Sequence, residues 1–380
     1  MHSPPNGQRE HHQTEKVENN PYAPVDLEVE WDAVVVGTGM GGSTLGAALA
    51  RQGYRVLFLE KGPYLLSAAT RGDRRKNRPD SDESPGDRLA KGRWPLRVQG
   101  RTSFGAANFF APLGCGTGGT TNLYASQLER FHPSDFEAGR RYANLPNTTA
   151  PSAWPIRYED LLPYYRAAER LYLVTGTEDP LLPDPQSVLS PPKPLSPRDQ
   201  DLFDSFQELG LHPYRAHAGF KYYFNCEECG GVICPLGCKS DAGAVALLPA
   251  LERHGAKLLV DCEVRELEAS ADSVQAVRCL LAGREVRIRA KRFFLAAGAF
   301  MTPVLLLNSK SQHWPTGLAN RSGAVGRNLM VHVSDFIIVR PRRALPTVGP
   351  RKAIAISDFY DIEGEKLGLF QSVGIEIDYG

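Results

Sequence analysis

The strongest pattern in the chain is a pair of short apolar runs flanking a segment of small residues. Asp32-Ala-Val-Val-Val36 and Arg55-Val-Leu-Phe-Leu59 show no polar alternation within their apolar stretches, as expected of parallel strands buried on both faces. Between them, Gly37 to Gly42 reads as a tight turn, and Ser43 to Gly53, with Leu45, Ala47, Ala48 and Leu49, as a helix. Trp31 to Gly62 is therefore predicted to be one strand–helix–strand unit. A third buried strand is predicted over Arg292-Phe-Phe-Leu-Ala-Ala-Gly298, followed by a helix starting at Thr302 with Pro303 early in it. Lys257 to Leu267 reads as a strand, and Val274 to Leu281 with Glu285 to Ala290 as a hairpin. Helices are predicted at Tyr158 to Leu173, Asp199 to Leu209 and Ala242 to His254, the last with a kink at Pro249. The polar stretch from Ala68 to Arg101 reads as a long loop, and the Pro-rich residues 174 to 197 as a linker. The tail beyond Phe336 alternates in places, as at Gly374 to Tyr379.

A length of 380 residues allows two or three folded units. The 42% hydrophobic and 23% charged fractions are those of an ordinary globular chain. A formal charge of +1 removes the electrostatic footprint of a general nucleic-acid binder. The N-terminus has no apolar core of a secretory signal, and residues 1 to 28 read as a disordered arm. The longest mostly apolar run, Phe293 to Leu307, contains Thr302 and Pro303. It falls short of the roughly 20 residues that span a bilayer. A cytoplasmic chain without a transmembrane segment is expected; export with a partner is the alternative.

Gly37-Thr-Gly39-Met-Gly-Gly42 fits G-x-G-x-x-G after a strand and at the start of a helix, and Glu60 closes the next strand at the distance the fingerprint requires. Each part has a physical role. Gly37 makes the turn, Gly39 lets backbone N–H groups approach a pyrophosphate, and Gly42 lets helix pack on strand. The helix N-terminus favours phosphate charge, and Glu60 can accept from ribose hydroxyls. Gly114, Gly116 and Gly119 fit the same spacing, but Pro112 interrupts the preceding run, so no second nucleotide fold is expected there. The spacing alone does not separate NAD from FAD.

Five stretches in order resemble the glucose–methanol–choline (GMC) family of FAD-dependent oxidoreductases. They are Gly37 to Gly62, ending Leu59-Glu60-Lys61-Gly62; Gly118-Gly-Thr-Thr-Asn-Leu-Tyr124; Trp154-Pro-Ile-Arg-Tyr-Glu-Asp160 with Pro163-Tyr-Tyr165; Gly298-Ala-Phe-Met-Thr-Pro303 through Ser309; and Gly317-Leu-Ala-Asn320 with Val325-Gly-Arg-Asn-Leu-Met-Val-His332. Three positions depart from the family pattern: Tyr124, Lys310 and Val331. The resemblance implies FAD, held by Gly37, Gly39, Gly42 and Glu60 and by Gly118, Gly119, Thr120, Thr121 and Asn122 beside the flavin ring. It also implies Val264 along the adenine edge and the Ala297-Gly298 turn near the dinucleotide. The implied fold is α/β, a Rossmann-like FAD-binding domain interleaved with an α+β substrate domain. Its segments are residues 29–130 and 226–335 for the first, and 131–225 and an incomplete 336–380 for the second.

The implied activity is oxidation of an alcohol, sugar or sterol CH–OH to a carbonyl by hydride transfer to flavin. Electrons then pass to oxygen or to an acceptor protein. The family's C-terminal catalytic histidine, paired with a second His or an Asn, has no counterpart: no His follows His332 and no Asn follows Asn328. No catalytic residue is carried over. The alternative is a flavin-binding fragment or subunit that a partner segment completes.

Cys226, Cys229, Cys234 and Cys238 form a tight cluster in the sequence. Two readings are open. Thiolates so spaced can hold an iron–sulfur cluster, or zinc less readily because zinc modules separate their Cys pairs more widely. The segment resembles the cysteine-rich stretch of some GMC dehydrogenase subunits, with different spacing. The second reading is a loop of free or disulfide-paired thiols. Cys115, Cys262 and Cys279 read as small buried hydrophobes. His132 reads as a loop residue, His332 as part of the flavin-site motif, and the basic run Arg71 to Lys76 as a solvated loop.

Overall fold

The computed structural model describes residues 25–67, 83–102, 105–137, 139, 153–223, 226, 228–331, 337, 345–361 and 368–373. The predictions for residues 1–24 of the N-terminal arm, for Arg71 to Lys76, for His332 and for Gly374 to Tyr379 lie outside these residues; the last part of the expected arm is ordered, with Val25 and Leu27 packed on the core of unit 1. The chain divides into two compact units. Unit 1 comprises Met1–Tyr124, Gly231–Pro235 and Asp241–Leu329; unit 2 comprises Ala125–Gly230, Leu236–Ser240 and Met330–Gly380. Strands and helices are numbered along the chain.

Unit 1 is built on a parallel sheet. Strand β1 (Ala33–Val36) lies between β2 (Val56–Leu59) and β12 (Phe293–Leu295), and β8 (Lys257–Leu259) extends the sheet beyond β2. The absence of polar alternation in β1 and β2 now has its explanation. Successive side chains point to opposite faces, and both faces are covered. Ala33, Val35, Val56 and Phe58 join one apolar cluster with Ala50, Leu247 and Leu251. Val34, Val36, Leu57 and Leu59 join another with Val277, Ile288 and Leu305. Helix α1 (Met40–Arg51) connects β1 to β2, and it buries Gly42, Gly46 and Ala50, which recur every fourth residue on one side. A Cβ on Gly46 would overlap the Phe58 ring, so the small residues are what lets α1 lie on the sheet.

A separate antiparallel sheet is formed by β9 (Cys262–Ala269), β10 (Val274–Leu281) and β11 (Arg284–Arg289), in the order β11-β10-β9. The predicted single strand Lys257 to Leu267 is thus two strands in different sheets. The break falls at Asp261, which has a left-handed φ of 49°. The Asp261 N–H donates to the Gly62 carbonyl at 3.1 Å and the Cys262 N–H to the Glu60 carbonyl at 2.9 Å. The predicted loop from Ala68 to Arg101 is also partly ordered secondary structure. Helix α2 (Pro85–Ala90) is capped by Ser84 and Asp87 in a reciprocal box, and β3 (Val98–Thr102) pairs with β4 (Gly105–Phe109). The helix predicted at Ala242 to His254 starts as a π-helical turn, Gly243–Leu247, and continues as α5 (Leu248–Arg253). Pro249 follows directly on that π-helical turn, at the start of α5. Helix α6 (Gly298–Asn308) follows β12.

Unit 2 contains α3 (Tyr158–Tyr172) and α4 (Pro197–Glu208), the second capped by Ser196. Two small antiparallel sheets accompany them: β5 (Val174–Thr175) with β7 (Ala218–Gly219), and β13 (Lys352–Ile356) between β6 (Tyr214–Arg215) and β14 (Phe370–Val373). Every residue of β13 is buried, with Ile354 and Ile356 against Leu202, Phe203 and Phe206 of α4.

Candidate functional site

The site is assembled within unit 1 at the end of β1. Gly37 has φ +97°, and a Cβ there would sit 2.5 Å from the Ala296 carbonyl oxygen and 3.2 Å from the Ala297 Cα. A Cβ on Gly42 would overlap the Gly37 carbonyl oxygen. These two glycines hold α1 tight against the strand ends. Gly39 and Gly41 differ: an added Cβ at either meets nothing within 4 Å. Gly39 is the N-cap of α1, no side chain caps that end, and its first turn carries no acidic residue. The first N–H groups of a helix have no intrahelical partner. The 12-residue helix therefore presents bare N–H groups and the positive end of its dipole to open space, as an anion cradle requires.

The second glycine-rich segment roofs this cradle. Gly118 has φ +95° and caps a short 3-10 turn, Gly119–Asn122. A Cβ on Gly119 would lie 2.8 Å from the Gly39 Cα, so two backbones meet where side chains would keep them apart. The polar side chains of this turn bond to the chain itself. Thr121 Oγ1 donates to the Gly118 carbonyl at 2.6 Å and accepts the Ala242 N–H at 2.9 Å. Asn122 Nδ2 donates to the Thr117 carbonyl at 2.8 Å, and Thr120 Oγ1 accepts the Gly114 N–H at 3.1 Å. They shape the loop rather than reach out of it.

Glu60 is buried and its carboxylate is fully engaged. Oε2 accepts the Thr38 N–H at 3.2 Å and the Thr38 Oγ1–H at 2.5 Å. Oε1 accepts the Gly62 N–H at 2.9 Å and the Gly116 N–H at 3.3 Å. One side chain thus ties the G-x-G turn, the end of β2 and the second glycine loop together. Thr38 is a site-building residue that the sequence patterns do not single out, and Gly116, whose glycine spacing predicted no nucleotide fold of its own, serves this site through Glu60. Thr38 occupies a variable position of the motif, and Gly116 is 56 residues from Glu60 in sequence. Close by, burial and the Glu60 charge push the Cys115 thiol up to about 12, which keeps it protonated and unreactive.

Ala297 is the N-cap of α6 and lies against Gly37, and Gly298 beside it has φ +79°. Val264 is half-buried on β9, paired with Cys279, and packs into the apolar cluster of that face.

The seven cysteines are reduced thiols, and among the described residues no group of three or more His, Cys, Asp or Glu side chains is arranged to hold a metal ion. The expected ligand set Cys226, Cys229, Cys234 and Cys238 divides between the units: Cys234 belongs to unit 1 and the other three to unit 2.

Unit 2 has its own polar core. Arg130 bonds Glu169 at 2.5 Å and Asp184 at 2.9 Å, and Arg166 bonds Asp184 at 2.6 Å. Neighbouring His217 is 7% exposed. Its Nδ1 lies 2.8 Å from Glu129 Oε2 and its Nε2 2.8 Å from the Thr177 carbonyl oxygen. Burial works to lower its pKa, but the Glu129 carboxylate and the Thr177 carbonyl outweigh it and hold the imidazolium above the ordinary histidine value. With both ring nitrogens facing oxygens, His217 is placed as a structural link rather than a base. A raised folded-state value means that its stabilisation is full below about pH 6.5 and is lost as pH rises through that folded value. Melting curves from pH 6 to 9 should therefore show an alkaline decline in the native chain that is flatter in His217→Gln. That substitution itself costs on the order of 3 kcal/mol.

A family model described as GMC oxidoreductase matches residues 31–334. The chain belongs to the GMC oxidoreductase family. It is 29% identical over 325 residues to 6'''-hydroxyparomomycin C oxidase of Streptomyces lividus, covering 81% of this chain and 55% of that protein. It is 28% identical over 352 residues to paromamine 6'-oxidase of Streptomyces fradiae, covering 87% and 60%. It is 28% identical over 338 residues to the fructose dehydrogenase large subunit of Gluconobacter japonicus, covering 79% and 58%. The chain spans little more than half the length of these curated relatives. The GMC family uses FAD, and the cradle fits that cofactor: open space in front of Gly39 and Gly41, bare helix N–H groups for a pyrophosphate, and a glycine roof that leaves room for a ligand beside backbone.

Proposed function

We propose that unit 1 binds FAD and that the chain forms the flavin-binding part of an enzyme that oxidises a CH–OH donor, an alcohol or sugar, to a carbonyl. The observation that carries this reading is the uncapped N-terminus of α1, walled by Gly37, Gly42 and Gly119. Bound flavin supplies the hydride acceptor. The residues of this chain bind and orient it. The α1 N–H groups neutralise pyrophosphate charge, and the Gly118–Asn122 turn sets a rigid backbone edge for the ring system. Glu60 takes the ribose hydroxyls by exchanging Thr38 Oγ1–H, its one rotatable protein donor, for them. Val264 and the Ala297-Gly298 turn border the adenine and pyrophosphate ends.

The two aminoglycoside-named oxidases and the fructose-named dehydrogenase among the relatives support a polyhydroxylated substrate. The large-subunit relative supports an acceptor protein as partner. Among the described residues no helix is long and apolar enough to cross a membrane.

A second reading is favoured by the length comparison. The chain supplies the flavin cradle, and a further segment supplies the proton-accepting base, since none of the described residues is placed as one. Gly39→Ala tests the shared part. The added methyl meets no protein atom, so unfolding should change by less than about 0.5 kcal/mol. The methyl does enter the cradle, so FAD affinity measured by fluorescence titration should fall at least tenfold. Unchanged affinity would place the cofactor elsewhere.

A further inference from the structure

We propose that the buried ammonium of Lys352 in unit 2 is the binding site for one small monovalent anion, of halide or carboxylate size. Lys352 opens β13, the central strand of its sheet, and is 8% exposed. Its Nζ is buried with no hydrogen-bond partner among the described residues. An ammonium has three N–H donors, and a buried ion left without partners costs several kcal/mol.

The groups around it do not remove that cost. Glu228 is the carboxylate that acts on Lys352, but its Oε2 already accepts the N–H groups of Arg351 at 3.0 Å and Lys352 at 3.2 Å. Glu228 is fixed in that task by a left-handed backbone, φ 48°, which is uncommon for a residue with a side chain. The second charge acting on Lys352 is Lys239, which is 1% exposed, has polar contacts of its own, and repels the Lys352 ammonium. Arg215, also nearby through Glu228, has its Nε on the Ala353 carbonyl and its Nη2 on the Lys193 carbonyl.

Lys352 therefore has its donors unfilled beside a carboxylate whose bonded oxygen serves the backbone, and Lys239 adds a second positive charge. Burial pulls Lys352 down to about 8, with the Glu228 carboxylate opposing and the Lys239 charge adding to that direction. Unpartnered buried donors are rare and mark a missing water or ion. The positive surroundings select an anion.

The test uses the full chain. Thermal midpoints are measured against sodium chloride, bromide and acetate at constant ionic strength, balanced with sodium sulfate, and chloride-35 line widths are recorded in parallel. The site predicts a saturable rise of about 2–4 °C and saturable excess broadening of the chloride signal. Both should be absent in Lys352→Met, which keeps the side-chain bulk without the ammonium. Saturation by acetate but not by halide assigns a carboxylate ligand; the converse assigns a halide. Midpoints that follow ionic strength alone, or identical shifts in Lys352→Met, overturn the site. If Lys352→Met does not fold, absence of saturable chloride broadening and of an acetate-dependent midpoint in the native chain overturns it.

Discussion

Gly42→Val is expected to abolish FAD uptake. Even a single Cβ at this position would overlap the Gly37 carbonyl oxygen and come within 3.0 Å of the Ala296 Cβ. Neither obstacle is the mobile end of a long side chain. Gly37 is held by its N–H bond to the Leu59 carbonyl at 2.8 Å, and Ala296 by its N–H bond to the Val36 carbonyl at 2.8 Å. Relief requires α1 to move off the strand ends, and that displaces the N–H groups that form the cradle. Overpacking of this kind costs about 1–3 kcal/mol and occasionally more. Valine adds two branches and a poorer helix preference. The expected result is a chain that folds with reduced stability and has FAD affinity lowered at least a hundredfold in a fluorescence titration. Gly41→Ala, whose added methyl meets no protein atom, should keep the native melting curve.

Glu60→Ala is expected to produce the largest loss of stability among changes to unit 1. Four donors lose their acceptor together: the N–H groups of Thr38, Gly62 and Gly116 and the Thr38 hydroxyl. A buried donor left unsatisfied costs about 1–3 kcal/mol, and hydrogen bonds to charged groups lie at the upper end. These costs are not additive because the turn can relax, so a total of about 4 kcal/mol is expected. That is a large fraction of the roughly 5–15 kcal/mol that holds a typical domain together. Glu60→Gln should recover less than half of it, because its NH2 group faces two donors. Urea unfolding measures both. A loss below about 1 kcal/mol for the alanine variant would show that the carboxylate is not the tie between the three segments.

How much of the molecule is legible in the sequence follows from how local each signal is. The β1–α1–β2 unit is readable because the apolar runs, the glycine spacing and Glu60 all lie between Trp31 and Gly62 and each obeys a period. Helix α2 is readable in principle, since Ser84 and Asp87 form a capping box, but so short a helix gives no amphipathic repeat. The break at Asp261 is not readable. Leu258-Leu-Val-Asp-Cys-Glu-Val264 continues a strand pattern, and only the pairing with Glu60 and Gly62 fixes the turn. The roof of the site is half readable: the Gly118–Asn122 turn stands out, but Gly119 against Gly39 and Gly116 on Glu60 are contacts across the chain.

The direct test of the central claim is the visible spectrum of the purified chain after incubation with FAD and removal of free cofactor. The account predicts flavin absorption bands in stoichiometric amount, lost in Gly42→Val. A native chain that is folded by circular dichroism and remains colourless would contradict it.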